Sequence, residues 1–259
     1  MFGRLKEILS YQDMINSLVH RELRGKYKGS LLGFLWTFIS PLCQIIVYII
    51  VFSIIVRSGL DHFYVYIISG MIPWFFFDGS LRLATGSIRY QGNLVKKIYF
   101  PHEVLPISMI TASFVNMLLC FIIVFAVILF SGFGVNIKAL LFLPFVWIAE
   151  YIFTLGLSLI ISAATVYFKD LEYITSVLLM VWIYLTPILY SLESIPEKLQ
   201  IIFKLNPMTY FIECYHSILY WKDVPTFTIM GRSLWMAVLT LIIGEIAFVK
   251  MDENFAEEM

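Results

Sequence analysis

The residues able to do chemistry are few and far apart. Asp78, Glu150 and Glu245 are carboxylates set inside otherwise apolar stretches. A charged group at membrane depth is a functional suspect by default, and a proton relay is its sharpest use, but a relay needs several such groups along one path. Three on separate segments, with Arg82 one helical turn from Asp78, fit interhelical hydrogen bonds or a local ion pair better. His20, His62, His102 and His216 are scattered, with no HExxH, and no serine sits in a GxSxG. Cys43, Cys120 and Cys214 stand alone without a CxxC and read as small hydrophobes. The Gly25-Lys26 pair has none of the upstream glycines of a phosphate-binding loop. No catalytic residue, metal site or cofactor is therefore assigned to this chain.

Composition says where these residues must sit. Of 259 residues 60% are hydrophobic and only 14% charged, against roughly 25% charged in a soluble domain. A globule so apolar could not cover itself with polar groups, which disfavours a soluble enzyme, a disulfide scaffold and a disordered chain. A net charge of zero argues against a nucleic-acid partner, which calls for a basic excess. About 20 apolar residues of helix cross a hydrocarbon core of about 30 Å, and six windows qualify: residues 31–56, 64–88, 104–137, 139–168, 173–192 and 233–249. The expected fold is all-α, a polytopic membrane protein of six transmembrane helices in one permease domain over residues 31–250.

Lysine and arginine beside the spans set the orientation. Arg4, Lys6, Arg21, Arg24, Lys26 and Lys28 precede the first span, and Arg89, Lys96 and Lys97 lie between the second and third, whereas the loops after spans one and three hold only Arg57 and Lys138; Lys198, Lys204, Lys222 and Arg232 after span five are diluted over a long segment and weigh little. Both termini are thus expected in the cytoplasm, including a tail at residues 251–259. Residues 1–30 lack the compact apolar core of a signal peptide. They read as an amphipathic interface helix, with Ile8, Leu9, Ile15, Leu18 and Val19 on one side and Lys6, Asp13, Ser17 and Arg21 on the other.

Two connections stand out. Residues 191–232 contain apolar stretches too short to cross, separated by Asn206-Pro207, where Asn206 suits an N-cap and Pro207 the first helical position. They suggest an outer re-entrant helical hairpin between spans five and six. Residues 90–106, YQGNLVKKIYFPHEVLP, join a basic pair to aromatics and two prolines, so a short helix over 92–99 should stop before Pro101. Such a segment can act as a lever for a soluble partner, or be simply a tight, positively charged turn.

RELRGKYKGSLLGFLWTFISPL at 21–42, GMIPWFFFDGSL at 70–81, NLVKKIYFPHEVLPIS at 93–108, YLTPILYSLESIPE at 184–197 and LNPMTYFIECYHSILY at 205–220 occur in this order. Together they resemble the permease subunit of polysaccharide-exporting ABC transporters, the family of O-antigen, capsule and teichoic-acid exporters. The resemblance implies a homodimeric permease in a bacterial inner membrane. Two copies of a separate ATP-binding subunit would hold ATP and magnesium, and the complex would pass a lipid-linked polysaccharide outward. It departs from the family pattern at Lys169-Asp170, often Arg-Asp, and at His216, where arginine is frequent and where histidine carries charge only part of the time.

Under this implication Lys96, Lys97, Tyr99 and Phe100, with Lys169 and Asp170 of the FKDLE turn, are the expected coupling residues for the ATPase. Arg21, Arg24, Lys26 and Lys28 sit where the carrier's pyrophosphate would enter. Tyrosine and tryptophan combine flat faces with hydrogen-bonding groups, as a sugar path needs. Phe34, Trp36, Phe38 and Tyr48 on span one and Tyr173, Trp182, Tyr184 and Tyr190 on span five are the expected path. An ABC permease for a small lipid or drug shares this architecture. An ion-coupled carrier is disfavoured, since no inverted repeat or matched pair of broken helices is visible.

Overall fold

The computed structural model describes residues 2–25, 32–55 and 60–258, and every regular element among them is helical. In chain order the helices are α1 (Phe2–Ser10), α2 (Gln12–Gly25), α3 (Trp36–Ile50), α4 (Phe63–Gly86), α5 (Gly92–Lys97), α6 (Val104–Phe130), α7 (Ile137–Leu140), α8 (Leu143–Tyr167), α9 (Leu171–Trp182), α10 (Glu197–Leu205), α11 (Pro207–Leu219), α12 (Phe227–Asp252) and α13 (Phe255–Glu258). Among the described residues four helical stretches are long and apolar enough to cross a membrane: Gly33–Ser53, Val104–Phe130, Ile137–Tyr167 and Phe227–Asp252.

The remaining two expected spans differ for physical reasons. α4 has 24 residues, about 36 Å at 1.5 Å per residue, so its length suffices. It is the central helix, however, packed by α3, α6, α8, α9 and α11. A helix enclosed by protein meets little lipid, and its glycines, serines and the Asp78 and Arg82 pair dilute its hydrophobicity. The fifth window is not one helix. After α9 a 3-10 turn runs to Leu185, and Thr186 is extended (φ −117°, ψ 132°), as a residue before proline prefers. The continuous piece, Leu171–Leu185, reaches only about 22 Å.

α8 and α12 make the closest helix pair. A Cβ on Gly244 would fall 2.2 Å from the Gly156 carbonyl oxygen, and one on Gly156 would fall 2.5 Å from the Leu241 nitrogen. The two backbones touch, the arrangement small residues permit between helices in a bilayer. The main core surrounds α4. A second one lies at the end carrying both termini, where Leu18, Val95, Phe100, Val104, Phe248 and Phe255 come together. The N-terminal helices dock there, α2 lying on α6. Ile8, Leu18 and Val19 are buried as their pattern predicts, while Leu9 is exposed.

At the opposite end α10 and α11 meet at Asn206. Its side chain accepts from Met208 N at 3.0 Å and caps α11, with Pro207 following. α11 is buried along most of its length, whereas α10 has no buried residue. The two apolar stretches are therefore unequal, one a core helix and one a surface helix.

Candidate substrate path and coupling surface

The eight path aromatics divide by what holds them. α3 and α9 each pack on α4 and bury only two residues apiece, Thr37 and Ile45 in α3 and Thr175 and Leu179 in α9. Trp36, Tyr173 and Tyr184 are exposed, and exposed Phe34 stacks edge-on against half-buried Phe38 at 5.4 Å. Tyr48 is half-buried beside Phe52. Trp182 is fastened: its indole N–H donates to Asn206 Oδ1 at 2.8 Å, and its ring meets Phe77 edge-on at 5.2 Å. Tyr190 donates to the Tyr184 carbonyl. Asn206 also donates through Nδ2 to Leu185 O (2.8 Å) and Thr186 Oγ1 (2.9 Å). One amide thus ties the end of α9 to the start of α11.

Two of the three isolated carboxylates have local partners. Asp78 accepts two hydrogen bonds from Arg82, at 2.8 and 3.0 Å. Glu150 is fully buried and accepts from Tyr215 of α11 at 2.5 Å. Glu245 is half-buried. His216 is buried, stacked on Tyr66 at 3.8 Å between ring centres and 3.2 Å from the Tyr66 carbonyl through Nε2. Its surroundings are those of a packed ring, with no surface at which to meet an anionic group. Among the described residues no group of histidine, cysteine or carboxylate side chains could hold a metal.

The short helix α5 ends at Lys97, two residues sooner than expected, and Ile98 after it is extended. Lys96, Lys97 and Tyr99 are exposed on it and just beyond it. Phe100 is not on that surface; it is buried in the second core with Val95, so it roots the segment instead of meeting a partner. Lys169 and Asp170 are exposed in the turn between α8 and α9. The structure brings Lys96 and Lys169 together around a hollow of about 330 Å³ that Arg89, Tyr90 and Glu258 also line. Its wall is fixed by Glu172, which accepts from the Tyr90 hydroxyl at 2.7 Å and lies 3.5 Å from Arg89. The bond to Glu172 holds the Tyr90 hydroxyl above the usual tyrosine range.

Of the basic entry cluster, Arg21 donates to Gln91 Oε1 at 2.8 Å and Arg24 is exposed. Lys26 and Lys28 lie outside the described residues. The sequence pattern did not bring out Arg4. Its Nε donates to Glu103 at 2.5 Å and its Nη2 to Asp252 at 2.7 Å, and His102 also meets Asp252 at 2.5 Å. Burial works against the Arg4 charge, but the two carboxylates outweigh it and raise its pKa. This node joins α1, the end of the 90–106 segment and the last residue of α12. The available signal was a lone carboxylate, Glu103, two residues after Pro101 at the start of an apolar window, the favoured side of a helix N-terminus.

Two comparisons agree with one another. The family model described as "ABC-2 type transporter" matches residues 14–220. The O-antigen export system permease protein RfbA of Myxococcus xanthus is 31% identical over 261 residues, spanning 100% of both chains. A protein of the same name from Klebsiella pneumoniae is 30% identical, with 98% of each chain covered. The polysialic acid transport protein KpsM of Escherichia coli is 24% identical over 88% of each.

Proposed function

The chain belongs to the ABC-2 type transporter family, and on that premise we propose that it is the permease of an O-antigen-type exporter, moving a lipid-linked polysaccharide across the cytoplasmic membrane. The observation that carries this is the end-to-end match to a permease named for O-antigen export. Transport is the chain's own part, and hydrolysis of magnesium-bound ATP falls to a separate subunit present in two copies.

In this reading the chain crosses six times. α3, α4, α6, α8 and α12 are five of the crossings, and α9 continued by residues 183–191 is the sixth. Both termini and α5 face the cytoplasm, and α10 and α11 form the outer hairpin. The permease is a homodimer whose second copy faces the uncovered sides of α3 and α9. Between them the exposed Trp36, Tyr173 and Tyr184 offer rings on which sugars can slide. Arg21 and Arg24, with Lys26 and Lys28, receive the carrier's phosphates. The ATPase docks on Lys96, Lys97, Tyr99, Lys169 and Asp170 around the polar hollow. Its movement enters through Val95 and Phe100, which are packed into the second core.

The test is reconstitution with the ATP-binding partner in proteoliposomes. Polyprenyl-diphosphate-linked O-polysaccharide should raise ATP hydrolysis and become accessible to an external lectin. Stimulation by a small amphiphile with no response to the glycan would instead place the chain among small-molecule exporters.

A further inference from the structure

A cleft of about 590 Å³ lies between α3, α4 and α6, within the roughly 300–1,000 Å³ range of small-ligand sites. Its walls combine two kinds of surface. Trp36, Phe75 and Phe76 supply aromatic faces, while Thr37, Asn116 and Arg82 supply polar groups. Thr37 is 6% exposed, and neither its hydroxyl nor the Asn116 side-chain oxygen has a hydrogen-bond partner among the described residues. Leaving such groups unpaired in a membrane-embedded helix pair costs free energy, and an acyl chain would satisfy none of them. The Arg82 guanidinium is held by Asp78 through Nε and Nη2 and by the Ser176 carbonyl at 3.5 Å through Nη2, which leaves the N–H groups of Nη1 at a fixed position.

Gly79 gives an independent sign. It stands inside α4 on the cleft wall, and a Cβ built on it meets no heavy atom within 4 Å. A helix-interior glycine is disfavoured relative to alanine, and here no protein atom demands one. The space beside it is the cleft itself.

We propose that this cleft binds one pyranose ring of the lipid-linked glycan. The ring's C–H face lies against Trp36 and Phe75, and its hydroxyls pair with Thr37, Asn116 and Arg82. The proposal rests on the export function above and assigns its substrate a side site that adjoins the path at Trp36 and reaches away from the α9 aromatics.

The test uses the permease with its ATP-binding partner in nanodiscs. Ser113, which also lines the cleft, becomes a reporter through Ser113→Cys in a Cys43→Ser, Cys120→Ser background. Polyprenyl-diphospho-N-acetylglucosamine at about ten times its Kd should slow alkylation of the reporter by roughly tenfold. Polyprenyl phosphate without sugar and phosphatidylglycerol should not. Adding Gly79→Leu, which fills the cleft, should abolish protection while the melting temperature is kept. Equal protection by the sugarless lipids overturns the proposal in favour of a lipid cleft. No protection, in a complex whose ATPase still responds to the glycan, overturns the site and leaves the export function standing. No ATPase response to the glycan counts against both.

Discussion

The Tyr215 hydroxyl donates a 2.5 Å hydrogen bond to the Glu150 carboxylate, and both side chains are completely withdrawn from solvent. The bond crosses from α11 to α8 and pins α11 in place. Tyr215→Phe strips that carboxylate of its donor and should lower stability by about 1–3 kcal/mol. Glu150→Gln keeps an acceptor and should cost less. Thermal unfolding in detergent reads both, and the double variant should fall short of the sum because the two share one interaction.

The backbone contact of Gly156 with Gly244 leaves no room for a methyl group. Gly244→Val must push α12 off α8 and should cost roughly 3 kcal/mol, seen as a lower melting temperature and a loss of folded material. Gly79→Ala, a glycine with open space beside it, should hold or raise the melting temperature.

Trp36 and Trp182 should part company. Trp36→Ala removes an exposed ring and is expected to slow glycan export about threefold to tenfold, the worth of one aromatic contact, with unchanged melting. Trp182→Phe leaves Asn206 without its indole partner and should cost about 1 kcal/mol in thermal unfolding. Equal effects of both on export alone would show that the Asn206 bond does not matter to the fold.

Arg4→Ala leaves Glu103, 1% exposed, without its cation. Because Arg4 itself is only partly withdrawn from water, the expected cost is about 2 kcal/mol. Hydrogen exchange over residues 2–25 should accelerate as α1 comes loose. Arg4→Lys, which can keep one of the two ion pairs, should restore part of the protection.

Local signals in the sequence were readable and distant ones were not. Asn206-Pro207 announced a helix start, Pro101 the end of α5, and the four-residue spacing of Asp78 and Arg82 their pair. Arg4 meets partners 99 and 248 residues away, and no spacing rule reaches that far. Proline 187 signalled the end of the helical run at Leu185, but the apolar residues around it hid the break. Phe100, expected with Lys96, Lys97 and Tyr99 on the coupling surface, is buried while Tyr99 is exposed. In a turn, successive side chains part to opposite sides, and only the core beneath decides which one is buried.

The direct backbone contact between α8 and α12 also determines which parts of the molecule can travel. Helices in contact along their main chains have no side-chain layer to slide on, so this pair serves as a fixed post, with α4 leaning on α8. α3 and α9 are attached to the block chiefly along one side. Movement is therefore left to the periphery, where two lightly moored helices can swing without the post giving way.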